Sequence, residues 1–147
     1  MAASHSSSRS INSPLRILVV EDEGISALVA QKTLEKMGYQ VLGPVNNGAQ
    51  AIEMALQELP DSILMDINLF GPINGIMAAE RIKAVRDIPI VFVTAYSDKA
   101  IRRRAELTHP LAYFEKPVQY PRIDALLQST VKTKLELSVE QDPDADL

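Results

Sequence analysis

The chain contains no cysteine. That excludes a disulfide framework, a thiolate nucleophile and a cysteine-based zinc site, and it suits a cytoplasmic protein better than a small secreted one. Histidine is almost as scarce. His5 lies in a serine-rich N-terminal stretch and His109 precedes a proline, without the spacing that shared metal ligation needs. There is no basic excess: 15 Lys and Arg face 19 Asp and Glu, a formal charge of −4. No global positive field exists to gather nucleic acid, so direct nucleic-acid binding is disfavoured. Long apolar runs are missing as well. Residues 88–93, IPIVFV, fall far short of a membrane span, and the N-terminus carries no apolar signal segment, so no membrane association is expected.

What remains is an ordinary globular composition, 46% hydrophobic and 23% charged over 147 residues, about the length of one domain. Residues 1–13, MAASHSSSRSINS, hold too little apolar surface to order themselves, and residues 138–147, SVEQDPDADL, read as an acidic solvated tail. One unit is left, residues 14–137. It opens on the near-continuous apolar stretch Arg16–Val20, as expected of a strand buried on both faces. Ala27, Ala30, Leu34 and Met37 then recur at helical spacing, with Gly38 where a left-handed cap belongs. A second strand over 40–45 leads through the Asn46-Asn47-Gly48 turn into a helix. There Ile52, Ala55, Leu56 and Leu59 are expected inward, and Pro60 ends it. A strand over 62–65, a helix over 74–85 with Ile76, Ala79 and Ile82 inward, a strand over 88–93 and a helix near 98–107 follow. Leu111–Phe114 is an expected edge strand behind Pro110, and Ile123, Leu126, Leu127, Thr130 and Val131 stripe a last helix. Five strands alternating with five helices predict an α/β fold, a doubly wound parallel sheet with helices on both faces.

In such sheets functional groups gather at the carboxyl ends of the strands. Those ends read Glu21-Asp22-Glu23, Asp66, Thr94-Ala95 and Glu115-Lys116-Pro117. A lone Asp at a strand end is commonly just a turn or cap residue. Several carboxylates brought together are different: they repel unless a cation sits among them, and oxygen ligands without Cys or His favour Mg²⁺, or Mn²⁺ in its place. A lysine and a threonine hydroxyl beside them complete what phosphoryl transfer to a carboxylate needs.

The segments VVEDE, LMDINL, VFVTA and YFEKP, in that order and spacing, resemble the response-regulator receiver domain of two-component signalling, over roughly Leu15 to Leu135. The resemblance implies a flavodoxin-like sheet of strand order 2-1-3-4-5. It makes Asp66 the phosphoacceptor, Asp22 the direct Mg²⁺ ligand, Glu21 an acid reaching the metal through water, and Asn68 the donor of a backbone carbonyl to it. Thr94 would move to the phosphoryl oxygens, Ile67 and Ala95 would offer backbone N–H groups, and Lys116 would pair with the phosphoryl charge. Tyr113 matches the aromatic switch position, and Lys116–Pro117 a bond that is cis in the family. There are departures. The acidic pair is Glu21-Asp22 where many members have two aspartates, Asn74 stands where Asp is usual before glycine, and Thr108-His109-Pro110 replaces a small Gly-Ala pair.

The implied function is a stand-alone phosphoacceptor in a two-component system or phosphorelay, fed by a histidine kinase or histidine phosphotransfer protein. It would signal to an effector through the face of the fourth helix, fifth strand and fifth helix, as a monomer or a phosphorylation-promoted homodimer. It would catalyse only its own phosphorylation and dephosphorylation, and no effector domain is expected after Leu135. A phosphohydrolase with an aspartate nucleophile would want Asp-x-Asp after the first strand, whereas Asp66-Ile67-Asn68 follows the third. A flavin mononucleotide module fails because Glu21-Asp22-Glu23 repels phosphate. A phosphorylation-independent interaction module is the remaining alternative, weakened by the presence of both Asp66 and Lys116. Arg102-Arg103-Arg104 reads as a solvated helix face that is also suited to an acidic partner. Tyr113 has the simpler reading of an edge-strand residue packed by its ring. The last helical stripe is too short for a coiled coil and reads as packed on the sheet.

Overall fold

Apolar residues alternate along each central strand between two layers, and this sorts the chain into a three-layer molecule. The computed structural model describes residues 13–141, with side chains as far as residue 130. Its elements are β1 (Arg16–Val20), α1 (Gly24–Lys36), β2 (Gln40–Val45), α2 (Gly48–Glu58), β3 (Ser62–Asp66), α3 (Gly75–Lys83), β4 (Ile90–Thr94), α4 (Lys99–Glu106), β5 (Ala112–Glu115) and α5 (Tyr120–Gln141). The strands pair in parallel in the order β2-β1-β3-β4-β5. Leu18, Val20, Ile63, Met65 and Phe92 face Ala51 and Ala55 of α2, Ile76, Ala79 and Ile82 of α3 and Ala105 of α4. Ile17, Val19, Leu64, Val91 and Val93 face Leu34 of α1 and Ile123 and Leu127 of α5. Each such buried aliphatic side chain contributes about 1.5–3 kcal/mol over its exposed state. Both faces of the central strands are therefore committed to packing, and polar chemistry is left to their ends.

The helices begin where side chains can satisfy their free N–H groups. Asn47, Asn74 and Asp98 cap α2, α3 and α4, and Glu23 caps α1 by accepting from the Ile25 and Ser26 N–H groups. Glu23 thus belongs to a helix start and not to the acidic cluster. Asn74, the departure from the usual aspartate, accepts from the Met77 N–H at 2.9 Å and serves equally well as a cap. Gly38 takes the expected positive φ, 99°.

Several boundaries differ from expectation. Leu59 does not face the core of α2: it follows the helix in the left-handed region at φ 47° and is 45% exposed. Ala51, one turn before Ala55, is buried, while Ile52 and Leu56 are half-buried. Strand β4 begins at Ile90: Pro89 before it has no N–H to give to a ladder, and Ile88 is buried in the preceding loop. It runs through Thr94, and β5 lies one residue later than expected. Helix α5 continues to Gln141, so residues 138–141 are helical where a tail was expected. Residues 1–12 and 142–147 lie outside the described residues.

Candidate functional site

The strand register delivers the acids to one edge. Val20 pairs with Met65 and Asp66 with Val93, so Glu21, immediately after β1, and Asp66, the last residue of β3, emerge side by side. Thr94 pairs with Glu115, and the Lys116 N–H donates to the Thr94 carbonyl at 2.8 Å. Glu21 and Asp66 are buried and Asp22 half-buried, and ligand oxygens of all three lie within 4.8 Å of one another. Lys116 reaches this cluster from across the sheet. Its Nζ donates to Glu21 Oε1 at 2.5 Å and to Asp66 Oδ2 at 3.2 Å. The other oxygens are held by backbone: Glu21 Oε2 accepts from the Glu23 N–H at 3.1 Å, and Asp66 Oδ1 from the Asn68 N–H at 3.1 Å.

Three carboxyl groups against one ammonium leave a surplus of negative charge. Burial first, then the hydrogen bond and charge of Glu21, hold the Asp66 carboxyl well above the usual carboxylate range, against the pull of Lys116 and the Asn68 N–H. Burial and the charge of Glu21 also raise Asp22. Burial draws the Lys116 ammonium downward, but Glu21 and Asp66 outweigh it and leave it raised, hence charged. An all-oxygen donor set with this surplus fits a hard divalent cation.

The remaining candidates lie on β4 and β5 or directly after β3 and β4. Thr94 is fully buried, and its hydroxyl donates to the Tyr96 carbonyl at 3.0 Å. Tyr113 is half-buried on β5, with its hydroxyl donating to Ser97 Oγ at 2.5 Å. Both therefore bind the short segment that joins β4 to α4. Ile67 is buried and its carbonyl accepts the Gly75 N–H at 2.8 Å; Ala95 and Asn68 are exposed at the strand ends. The Lys116–Pro117 bond is cis, as is Gly43–Pro44.

A model of the response regulator receiver domain matches residues 17–128. The chain belongs to that family. Among proteins similar to this receiver domain is the transcriptional regulatory protein PdtaR of Mycobacterium tuberculosis, 35% identical over 104 residues, covering 71% of this chain and 50% of PdtaR. The chain spans about half the length of that relative. The polar-differentiation response regulator DivK of Brucella anthropi is 30% identical over 119 residues, 79% of this chain and 95% of DivK. The receiver domain of a sensor histidine kinase from Pseudomonas aeruginosa, solved with a magnesium ion coordinated in its active-site cleft, superposes with a TM-score of 0.71. It is 29% identical over 79% of this chain and 96% of that one. Membership places the chain in two-component signalling. Among the described residues no helix is long and apolar enough to cross a membrane.

Four residues around the receiver site escaped the sequence reading. Gly75 opens α3 directly beneath the acids: a Cβ there would stand 2.1 Å from the Asp66 carbonyl oxygen and 2.8 Å from the Ile67 Cα. Its signal was its place after the Asn74 cap, yet only the packed backbone shows that no side chain fits. Ser97 and Arg102 touch Tyr113, and Tyr120 lines a cleft of about 320 Å³ together with Glu21, Asp66, Lys116, Ile25 and Val29. Burial and the charge of Glu21 raise the Tyr120 hydroxyl. Arg102 had only the signal of the arginine run, which does not say that one arginine meets Tyr113, and Ser97 and Tyr120 have no periodic or motif signal, because each contact depends on where a distant element docks.

Proposed function

We propose that this receiver domain accepts a phosphoryl group on Asp66 from the phosphohistidine of a histidine kinase or histidine phosphotransfer protein. The observation that carries this reading is the convergence of Glu21, Asp22 and Asp66, oxygens within 4.8 Å, with Lys116 Nζ 3.2 Å from Asp66 Oδ2. Asp22, Asp66, Glu21 and the Asn68 carbonyl would hold Mg²⁺ or Mn²⁺. Bound there, the ion supplies the positive charge that keeps the three carboxyls ionised and offsets phosphoryl charge. An Asp66 carboxylate oxygen attacks phosphorus, the oxygen–phosphorus bond forms as the nitrogen–phosphorus bond breaks, and the imidazole nitrogen keeps the bonding pair. Lys116, already at the Asp66 oxygen, pairs with the new charge. The backbone N–H groups of Ile67 and Ala95 receive phosphoryl oxygens.

The change then travels outward. Thr94 exchanges the Tyr96 carbonyl for a phosphoryl oxygen, the segment between β4 and α4 shifts, and Tyr113 leaves Ser97 and turns inward. The α4-β5-α5 face is thereby remodelled for a downstream effector or a second receiver. Incubation with Mg²⁺ and a small acyl phosphate, followed by intact mass, tests the first step. Wild type is expected to gain one phosphoryl group, dependent on Mg²⁺, and Asp66→Asn to gain none; an unmodified wild type overturns the reading.

A further inference from the structure

Tyr113 is held from three sides. Its hydroxyl is bonded to Ser97 Oγ at 2.5 Å, Phe92 packs against its ring at a centroid distance of 6.4 Å, and the Arg102 guanidinium lies 5.0 Å from its ring centroid. Phe92 is fully buried on β4 and part of the core, so it is fixed by packing whatever Tyr113 does. Arg102 is different. It is exposed on the middle of α4 and would be free to sample many rotamers, yet it is steered over the ring by a bond from its Nε to Glu106 Oε1 at 3.1 Å, one helical turn on. Arg103 and Arg104 beside it are exposed and make no ring contact among those described. The triple-arginine run is therefore not uniform. One arginine is bound to the switch tyrosine and two face solvent.

We propose that Arg102 sets the resting balance of the switch by holding Tyr113 in the Ser97-bonded position, so that phosphorylation must break this contact before the α4-β5-α5 face can change. The inference rests on the reading of Asp66 as phosphoacceptor and of Tyr113 as the residue that moves. The Arg102–Glu106 bond lies within α4 and is common to both positions of Tyr113, so it drops out of the difference between them. The ring contact does not. A guanidinium over an exposed aromatic face contributes enough to shift a two-state balance about twofold to fivefold. Arg102 is a positioning residue on this account: it touches neither acid nor phosphoryl group.

Beryllofluoride with Mg²⁺, an inert mimic of the aspartyl phosphoryl group, provides the test. Its apparent affinity is read from the ¹⁹F NMR signal of the bound mimic itself, in every variant, and the state of Tyr113 from protein labelled with 3-fluorotyrosine, the Tyr113 signal being assigned by its loss in Tyr113→Phe. Arg102→Ala is expected to bind the mimic about twofold to fivefold more tightly and to show an altered Tyr113 resonance before the mimic is added. Arg102→Lys, which keeps a cation on the same helix turn, is expected to fall between it and wild type. In a Tyr113→Ala background Arg102→Ala is expected to change the affinity no further, which separates the ring contact from a general effect on α4. Equal affinities for wild type and Arg102→Ala, or the same gain without Tyr113, overturn the inference and leave the Asp66 reading standing. A wild type that takes up no mimic overturns both.

Discussion

Asp66 is a carboxyl group at the buried end of a strand, and its neighbours decide its charge. Glu21 and burial work to protonate it, while Lys116 and the Asn68 N–H work to ionise it. Tyr39 shows the same competition away from the site. It is 5% exposed, donates its hydroxyl to Asp124 and accepts from Gln128 Nε2 at 3.3 Å. Burial first, then the bond to Asp124, push its pKa up to about 12 from 10.0. A group whose folded pKa is raised favours its protonated form in the native state. Its contribution to stability is fully present below pH 10 and is lost as the pH climbs from 10 toward 12. Spectrophotometric titration is expected to show one tyrosine ionising near pH 12 in wild type and not in Tyr39→Phe. The stability advantage of wild type over that variant is expected to shrink across the same interval in urea melts.

Helix α3 shows how an element holds a site without contributing a ligand. Asn74 caps it, and the Gly75 N–H bonds to the Ile67 carbonyl directly after Asp66, so the helix start and the acid-bearing loop form one unit. Asn74→Ala removes only the cap and is expected to cost about 1 kcal/mol with Mg²⁺ binding retained. Gly75→Ala drives a methyl group into the Asp66 and Ile67 backbone, where no flexible side chain can yield. It is expected to cost about 3 kcal/mol and to weaken the Mg²⁺-induced thermal shift as well. Denaturant melts with and without Mg²⁺ separate the two variants, and an alanine at 75 that leaves both quantities unchanged contradicts the geometry.

At the scale of the molecule the surplus of negative charge at the sheet edge would, under the proposed function, link folding to cation binding. A ligand that binds only the folded state stabilises it by mass action, about 2.7 kcal/mol at one hundred times its dissociation constant. Mg²⁺ is expected to raise the midpoint of thermal unfolding in a concentration-dependent way, and Asp22→Asn to flatten that dependence. A thermal midpoint of wild type indifferent to Mg²⁺ would remove the cation from the account of this receiver. The same scale explains why the switch candidates sit where they do. Thr94 and Tyr113 lie on neighbouring strands of the sheet and both anchor the segment between β4 and α4, which is the route to α4 that the proposed function would use.

By itself the sequence determined the alternation of strands and helices, because burial on two faces imposes continuous apolar strands and burial on one imposes a helical stripe. It also determined that the polar chemistry belongs to the strand ends, since Glu21, Asp22, Asp66, Thr94 and Lys116 each follow or close an apolar run. Local preference misled it at Leu59, which has helical spacing but sits past the last turn in a left-handed cap, and the acidic run alone did not show that Glu23 is spent on α1. The length of α5 also escaped it, because polar residues and a distant Pro143 look alike in a helix end and a tail. Only the tertiary structure decided which groups meet. Lys116 and Glu21 are 95 residues apart and Tyr39 and Asp124 are 85 apart. Their contacts depend on strand register and helix docking, which are cooperative properties of the packed core and have no counterpart in any local pattern.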